Sequence, residues 1–327
     1  MLQRFRSKQI INFTSFRLIM MSFLLILTGG QIAHSSPCDE AKAQFELRFE
    51  TLQSRTLKDF NEKISNPENF PIWINGKGKN KNEIIYLVHG FIGTPFEMRS
   101  TAERLISSGY TVVLDVLPGH GVSAEASNSF SKLDLQNHVF ANLKAITQCA
   151  SKVHLVGFST GATLLHHFLQ TNSAPSVATI SLISPYYQPT ITFGDLLSQG
   201  SAFFISTLSV DFAYSISHFS DIKVAFLDPD HYHKKIPLDL ANEINSLGEE
   251  TGLTKANIHV PVLLLTSSHD KIASPSATHV KIAQDFSNIK LMHYNSFNFA
   301  PHHLMADPVS PVADQVHQLI SDFIQKH

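Results

Sequence analysis

Charge is scarce in this sequence, and so are the residues that build metal and redox sites. Charged residues make up 16% of the 327 positions, and the formal net charge is -2. Outside the N-terminus there is no long basic run, so the electrostatic footprint of a nucleic-acid binder is missing. Only two cysteines occur, Cys38 and Cys149, and they form no Cys-x-x-Cys arrangement. Histidine is plentiful, but His166-His167 and the pair His231 and His233 lack a third ligand or a carboxylate at useful spacing. No metal and no cofactor are expected. One tryptophan stands against 24 phenylalanines. Core packing accounts for that bias, with an apolar binding site as the rival reading. Internal repeats and low-complexity tracts are absent.

What is present fits an α/β domain carrying an insertion. Apolar residues make up 43% of the chain, enough for a sizeable core. The first 35 residues read as a signal peptide. Arg4, Arg6, Lys8 and Arg17 precede an apolar run, LIMMSFLLIL (18–27), too short to span a bilayer comfortably. Gly29-Gly30 break the run, and Ala33-His34-Ser35 supplies small residues at a cleavage site. An uncleaved membrane anchor is the rival reading. A lipoprotein fits poorly, because Ser-Ser-Pro before Cys38 lacks the apolar residue of a lipobox. Export would permit a Cys38–Cys149 disulfide, and two buried or unpaired thiols remain the alternative.

Residues 36–82 read as an N-terminal helical arm and linker. Phe45, Phe49, Leu52, Leu57, Phe60 and Ile64 recur at helical spacing, giving one amphipathic helix or two, and Pro67 and Pro71 end the pattern. GKGKNKN (76–82) is a polar turn, a hairpin tip or a loop. Strand-like and helix-like segments then alternate. EIIYLVHG (83–90), YTVVLDV (110–116), KVHLVGF (152–158), VATISLISP (177–185), HVPVLLLTSSHD (259–270) and IKLMHYN (289–295) read as strands. Helical spacing fills 97–109, 133–150, 162–170, 276–286 and 310–327. The alternation predicts a mostly parallel sheet with helices on both faces. Residues 83–185 and 259–327 form this core. Residues 186–258 break the rhythm with prolines and aromatics such as Phe193, Phe203, Phe204, Phe212 and Phe226, and read as a cap inserted over one sheet edge.

The chemistry centres on GFSTG (157–161), a G-x-S-x-G motif. Composition alone makes a chance match unremarkable. A nucleophile elbow also needs a strand running into the first glycine and a helix leaving the second, and the flanking segments supply both. Ser159 is therefore the candidate nucleophile; an ordinary tight turn is the alternative. A serine hydroxyl needs a base, and the base needs an orienting acid. Asp270 ends a predicted strand, where sites in such sheets gather. His302 and His303 follow the last strand, and only one of the two can serve; His302 is preferred. The oxyanion requires backbone N–H donors. Thr160, after the serine, and Phe91, in the loop after strand 83–90, are the candidates. Phe91, Ile92 and Phe158 are candidate substrate contacts, and His89 reads as a structural residue of that loop.

These segments resemble the monoacylglycerol lipase and bacterial carboxylesterase branch of the α/β-hydrolase superfamily. The resemblance rests on HGF (89–91), Gly119-His120-Gly121, GFSTG, SSHDKIASP (267–275) and PHHLMADP (301–308). His302 stands five residues before Asp307, the spacing of that family's histidine segment, which also favours His302 over His303. The resemblance covers residue 84 to the C-terminus, with 186–258 matching a cap only in position and length. Residues before Ile84 match nothing in the family, and part of its first hairpin is expected to be missing. The resemblance implies an α/β-hydrolase fold and a serine hydrolase acting on carboxylic esters through an acyl-enzyme. The substrate would be a small acyl ester or a lipid, with peripheral lipid contact through the cap. A thioesterase or acyltransferase would use the same three residues. A hydrolase fold kept only for binding would usually lack one of them.

Export predicts a processed chain. Protein recovered from outside the cytoplasm should begin at Ser36, and N-terminal sequencing that returns Met1 would overturn cleavage after Ser35.

Overall fold

The computed structural model describes residues 36–190, 230–233, 238–270, 272–295, 302, 304–305 and 310–327. The expected signal peptide, most of the cap insertion, His303 and Asp307 lie outside the described residues.

The first described element is a single helix, α1 (Pro37–Phe60), with Asp39 and Glu40 in its first turn and Lys58 in its last, the polarity that suits the helix dipole. A short edge strand follows, β1 (Ile72–Ile74). The regular alternation then runs through β2 (Glu83–Val88), α2 (Phe96–Ser107), β3 (Thr111–Asp115), the one-turn α3 (Ala124–Ser127), α4 (Lys132–Cys149), β4 (Lys152–Phe158), α5 (Thr160–Thr171) and β5 (Val177–Ile183). After the insertion's described helix, α6 (Leu238–Glu250), come β6 (Val262–Ser267), α7 (Pro275–Asp285), β7 (Ile289–Tyr294) and α8 (Ala313–Lys326).

The described strands form one seven-stranded sheet in the order β1-β3-β2-β4-β5-β6-β7. β1 runs antiparallel to β3, and every other pair is parallel. The apolar runs have a direct cause. A strand covered on both faces buries consecutive side chains, and in β2 alternate residues enter two different cores. Ile84, Tyr86 and Val88 pack with α1, α4, α5 and α6, whereas Ile85 and Leu87 pack with α2 and α8. Sequence reading placed β1 within a linker. Three residues next to Pro71 are too few to show a period of two, and only pairing with β3 reveals the strand. Among the described residues β3 is the only strand beside β1.

Two devices fasten α1 to this core. Cys38 in its first turn forms a disulfide with Cys149 at the end of α4, across 111 residues of sequence. Between them runs a buried polar chain. Arg48 Nε donates to Asn142 Oδ1 at 2.6 Å, and Asn142 Nδ2 donates to Asp115 Oδ2 at 2.8 Å. The Tyr86 hydroxyl donates to the same carboxylate, and His138 Nε2 lies 2.9 Å from its other oxygen. Burial alone would push the Asp115 pKa up; His138, Tyr86 and Asn142 outweigh it and hold the carboxyl below its ordinary value. Further along, Arg55 reaches Asp134 and lies 4.1 Å over the Phe130 ring.

A cross-link closing a loop of this length constrains the unfolded chain strongly. Cys149→Ser should lower the unfolding free energy by about 3–5 kcal/mol, read as a fall in the urea midpoint that reductant reproduces in the wild type. An unchanged midpoint would show that α1 is held by packing alone.

Candidate active site

The site lies beyond the carboxyl ends of the strands, where a parallel sheet leaves its loops and helix N-termini to converge. Ser159 follows β4 directly and precedes the first residue of α5. Its backbone sits at φ 50°, ψ -118°, a conformation that costs a serine about 1–3 kcal/mol. Three backbone hydrogen bonds hold it there. Ser159 N–H donates to Ile183 O at 2.8 Å, and Ser159 O accepts from Thr163 N–H at 3.1 Å and Tyr186 N–H at 3.4 Å. The flanking glycines are required by contact. A Cβ on Gly157 would stand 2.5 Å from Ala162 Cα, and one on Gly161 would stand 2.3 Å from Val88 O.

Asp270 lies three residues past β6, and His302 lies beyond β7. The fold brings both to Ser159. His302 Nε2 is 3.0 Å from Ser159 Oγ, and His302 Nδ1 is 2.9 and 3.1 Å from the two Asp270 oxygens. Asp270 Oδ1 also accepts the backbone N–H groups of Ile272 and Ala273, each at 2.9 Å, which fixes the carboxylate. All three side chains are buried. The hydrogen bonds run in series from hydroxyl to imidazole to carboxylate. With Nδ1–H donated to Asp270, Nε2 carries the lone pair that can accept the serine proton.

The β2–α2 loop reaches the same place. Phe91 is half-buried, and Ile92 and Phe158 are buried; the Phe158 ring packs against the His302 ring with centroids 5.2 Å apart. The backbone N–H groups of Phe91 and Thr160 donate no hydrogen bond among the described residues. Ile92 sits at φ 64°, an outlier for a β-branched residue. His89 has the structural role its position suggested. Its Nδ1 lies 2.8 Å from Gly90 O, and its Nε2 accepts Leu117 N–H at 3.0 Å, so it ties the loop to the end of β3.

Several residues around this loop carry no signal in the sequence. Glu97, in the first turn of α2, looks like an ordinary helix-start acid, yet it is buried and its Oε2 accepts Gly90 N–H at 2.9 Å. Burial pushes its carboxyl up to about 8, against the lowering effect of that hydrogen bond. Asn69 and the segment 230–233 also meet the loop from distant parts of the chain. No group of three or more ligand side chains suited to a metal occurs among the described residues. Nor, among them, is any helix long and apolar enough to cross a membrane.

A family model described as serine aminopeptidase, S33, matches residues 79–308. The chain belongs to that family. Curated relatives of this S33 member include a thermostable monoacylglycerol lipase of Bacillus sp. (strain H-257), 38% identical over 80 residues, 24% of this chain and 32% of that one. The match thus spans about a third of that relative's length. Phospholipase YtpA of Bacillus subtilis (strain 168) is 25% identical over 197 residues, 58% of this chain and 76% of that one. Among solved structures, a soluble variant of monoglyceride lipase from Saccharomyces cerevisiae, in complex with a substrate analog, aligns with TM-score 0.58 at 15% identity. That alignment covers 82% of this chain and 98% of the other. The Paleococcus ferrophilus monoacylglycerol lipase aligns with TM-score 0.54 at 16% identity, over 79% and 98% of the two chains. The S33 member thus has the α/β-hydrolase fold.

Three buried histidines near the loop make stability sensitive to acid. Burial pushes His89 well below its ordinary value, His120 down to about 4 and His233 down to about 3. Each is neutral when folded and takes a proton more readily when unfolded, so its contribution is complete above pH 6.5 and is lost as pH falls toward 4 and 3. Urea unfolding at pH 7, 6 and 5 should show stability falling with pH, with a shallower slope in His120→Asn. An identical slope in that variant would contradict burial of the neutral form.

Proposed function

We propose that this protein is an exported serine hydrolase of carboxylic esters, of the carboxylesterase or monoacylglycerol lipase type. The reading is carried by one observation. A strained, buried serine is hydrogen-bonded through His302 to Asp270, beside two backbone N–H groups with no partner among the described residues. The family membership favours a serine hydrolase, and the lipase relatives favour ester chemistry over the peptide chemistry of the family's description. The Cys38–Cys149 disulfide favours an oxidising compartment, and hence export.

In this mechanism Ser159 Oγ attacks the acyl carbon while His302 Nε2 takes the serine proton. Asp270 holds the imidazole's tautomer and stabilises the imidazolium. The carbonyl oxygen becomes an oxyanion held by Phe91 N–H and Thr160 N–H. His302 then gives its proton to the leaving alcohol, and the C–O bond to that alcohol breaks. Water attacks the acyl-enzyme, again losing its proton to His302, and the acid leaves as Ser159 regains its hydrogen. The low exposure of the three residues keeps bulk water from competing for these hydrogen bonds. Phe91, Ile92 and Phe158 supply an apolar wall for the acyl chain, and the phenylalanine-rich cap suits medium to long chains or monoacylglycerols.

Ser159→Ala should lower kcat on p-nitrophenyl esters by at least about 10³-fold, and a fluorophosphonate probe should label the wild type but not the variant. Retained turnover in Ser159→Ala would remove the nucleophile. A series of acyl esters and matching thioesters tests the substrate class: rising kcat/KM from butyrate to longer esters supports the reading, and turnover confined to thioesters replaces it with a thioesterase.

A further inference from the structure

The loop that carries Phe91 is under strain and is held from both ends. Ile92 at φ 64° is strained for a β-branched residue, and such a conformation persists only where its surroundings over-determine it. At the near end, Glu97 Oε2 accepts Gly90 N–H at 2.9 Å, and a Cβ on Gly93 would stand 2.2 Å from the Glu97 carboxyl carbon. The carboxyl group therefore fills the inside of the turn. At the far end, Thr94 Oγ1 donates to Asn69 Oδ1 at 2.7 Å, and Asn69 is buried. Asn69 in turn receives His231 Nδ1 at 2.8 Å and donates to Asp230 O at 2.6 Å. His233 N–H donates to Ile92 O at 2.8 Å, and the His231 ring stacks on Phe96 with centroids 3.6 Å apart. A long-range clamp thus brackets Phe91.

We propose that Glu97 and Asn69 are positioning residues for the reaction, holding the strained 90–94 loop so that Phe91 N–H points at the oxyanion. Neither side chain touches the substrate. Glu97 fixes the Gly90 peptide just before the donor, and Asn69 fixes Thr94 and the 230–231 segment just after it. A loop released from either hold relaxes Ile92 toward negative φ and turns the adjoining peptide plane, which moves the Phe91 donor. Acylation would suffer because the donor acts on charge that appears only in the transition state. Substrate binding in the ground state would be little changed. Because burial keeps Glu97 largely protonated at neutral pH, glutamine reproduces its shape, charge and acceptor oxygen.

This inference rests on the oxyanion role given to Phe91, and one set of measurements separates the two. kcat and KM for p-nitrophenyl butyrate are measured for wild type, Ser159→Ala, Glu97→Ala, Glu97→Gln and Thr94→Val, with inhibition by a trifluoromethyl ketone that forms a tetrahedral adduct. Glu97→Ala and Thr94→Val should each lower kcat by about tenfold or more with KM within about twofold. They should weaken the ketone by a similar factor, and Glu97→Gln should stay within about threefold of wild type. Full turnover in folded Glu97→Ala and Thr94→Val, equal losses in Glu97→Ala and Glu97→Gln, or a loss that appears in KM would overturn the positioning roles alone. Retained turnover in Ser159→Ala would overturn the catalytic reading, and the positioning roles with it. Should Glu97→Ala not fold, Glu97→Leu, which keeps volume and loses the acceptor, decides the near hold by the same kcat and ketone criteria, and Thr94→Val, which loses only the hydroxyl donor, decides the far one.

Discussion

The serine at the top of β4 is the constraint on which the rest depends. A chain that must leave a buried strand and enter a helix within one residue has little conformational room. Ser159 takes a positive φ, and the residues two positions to either side, Gly157 and Gly161, have no Cβ because Ala162 and the Val88 carbonyl occupy that space. The strain is stable because β5 accepts the Ser159 N–H and the start of α5 returns a hydrogen bond to its carbonyl. The parallel sheet around it brings the ends of β2, β6 and β7 to the same edge. The loops carrying Phe91, Asp270 and His302 can therefore meet at one hydroxyl.

A second layer of order comes from outside the hydrolase core. α1 packs on α4 and is held by the disulfide and by a polar chain that runs from Arg48 through Asn142 to Asp115. Asp115 ends β3, and the next residues lead to Leu117, whose N–H is held by His89. A contact at the protein's first described helix is thus continuous, through buried groups, with the loop beside Ser159. Unpaired buried polar groups cost more than paired ones return, so such a chain holds together only when complete.

Much of this was legible in the chain. Continuous apolar runs separated by amphipathic segments foretold a mostly parallel sheet, because a strand covered on both faces has no polar side to show. Strand 152–158 was placed to the residue. Ser159, Asp270 and His302 were legible because each stands at a loop that the alternation places beyond a strand. β1 was not, since three residues carry no period. Glu97 was misleading: an acid in a helix's first turn is common at the surface, and burial here depends on the loop folded over it.

The chain by itself determined the alternation of strands and helices from residue 83 on, the strand–serine–helix turn, and the candidate nucleophile, acid and pair of candidate bases. Local spacing carries those facts, because the helix and strand periods are properties of the backbone. Tertiary structure alone decided that Cys38 meets Cys149, that Asp115 gathers Tyr86, His138 and Asn142, and that Asn69, Glu97 and the 230–233 segment converge on one strained loop. These contacts join residues up to 162 positions apart. Their partners are chosen by the packing of whole elements, which no window of the sequence contains.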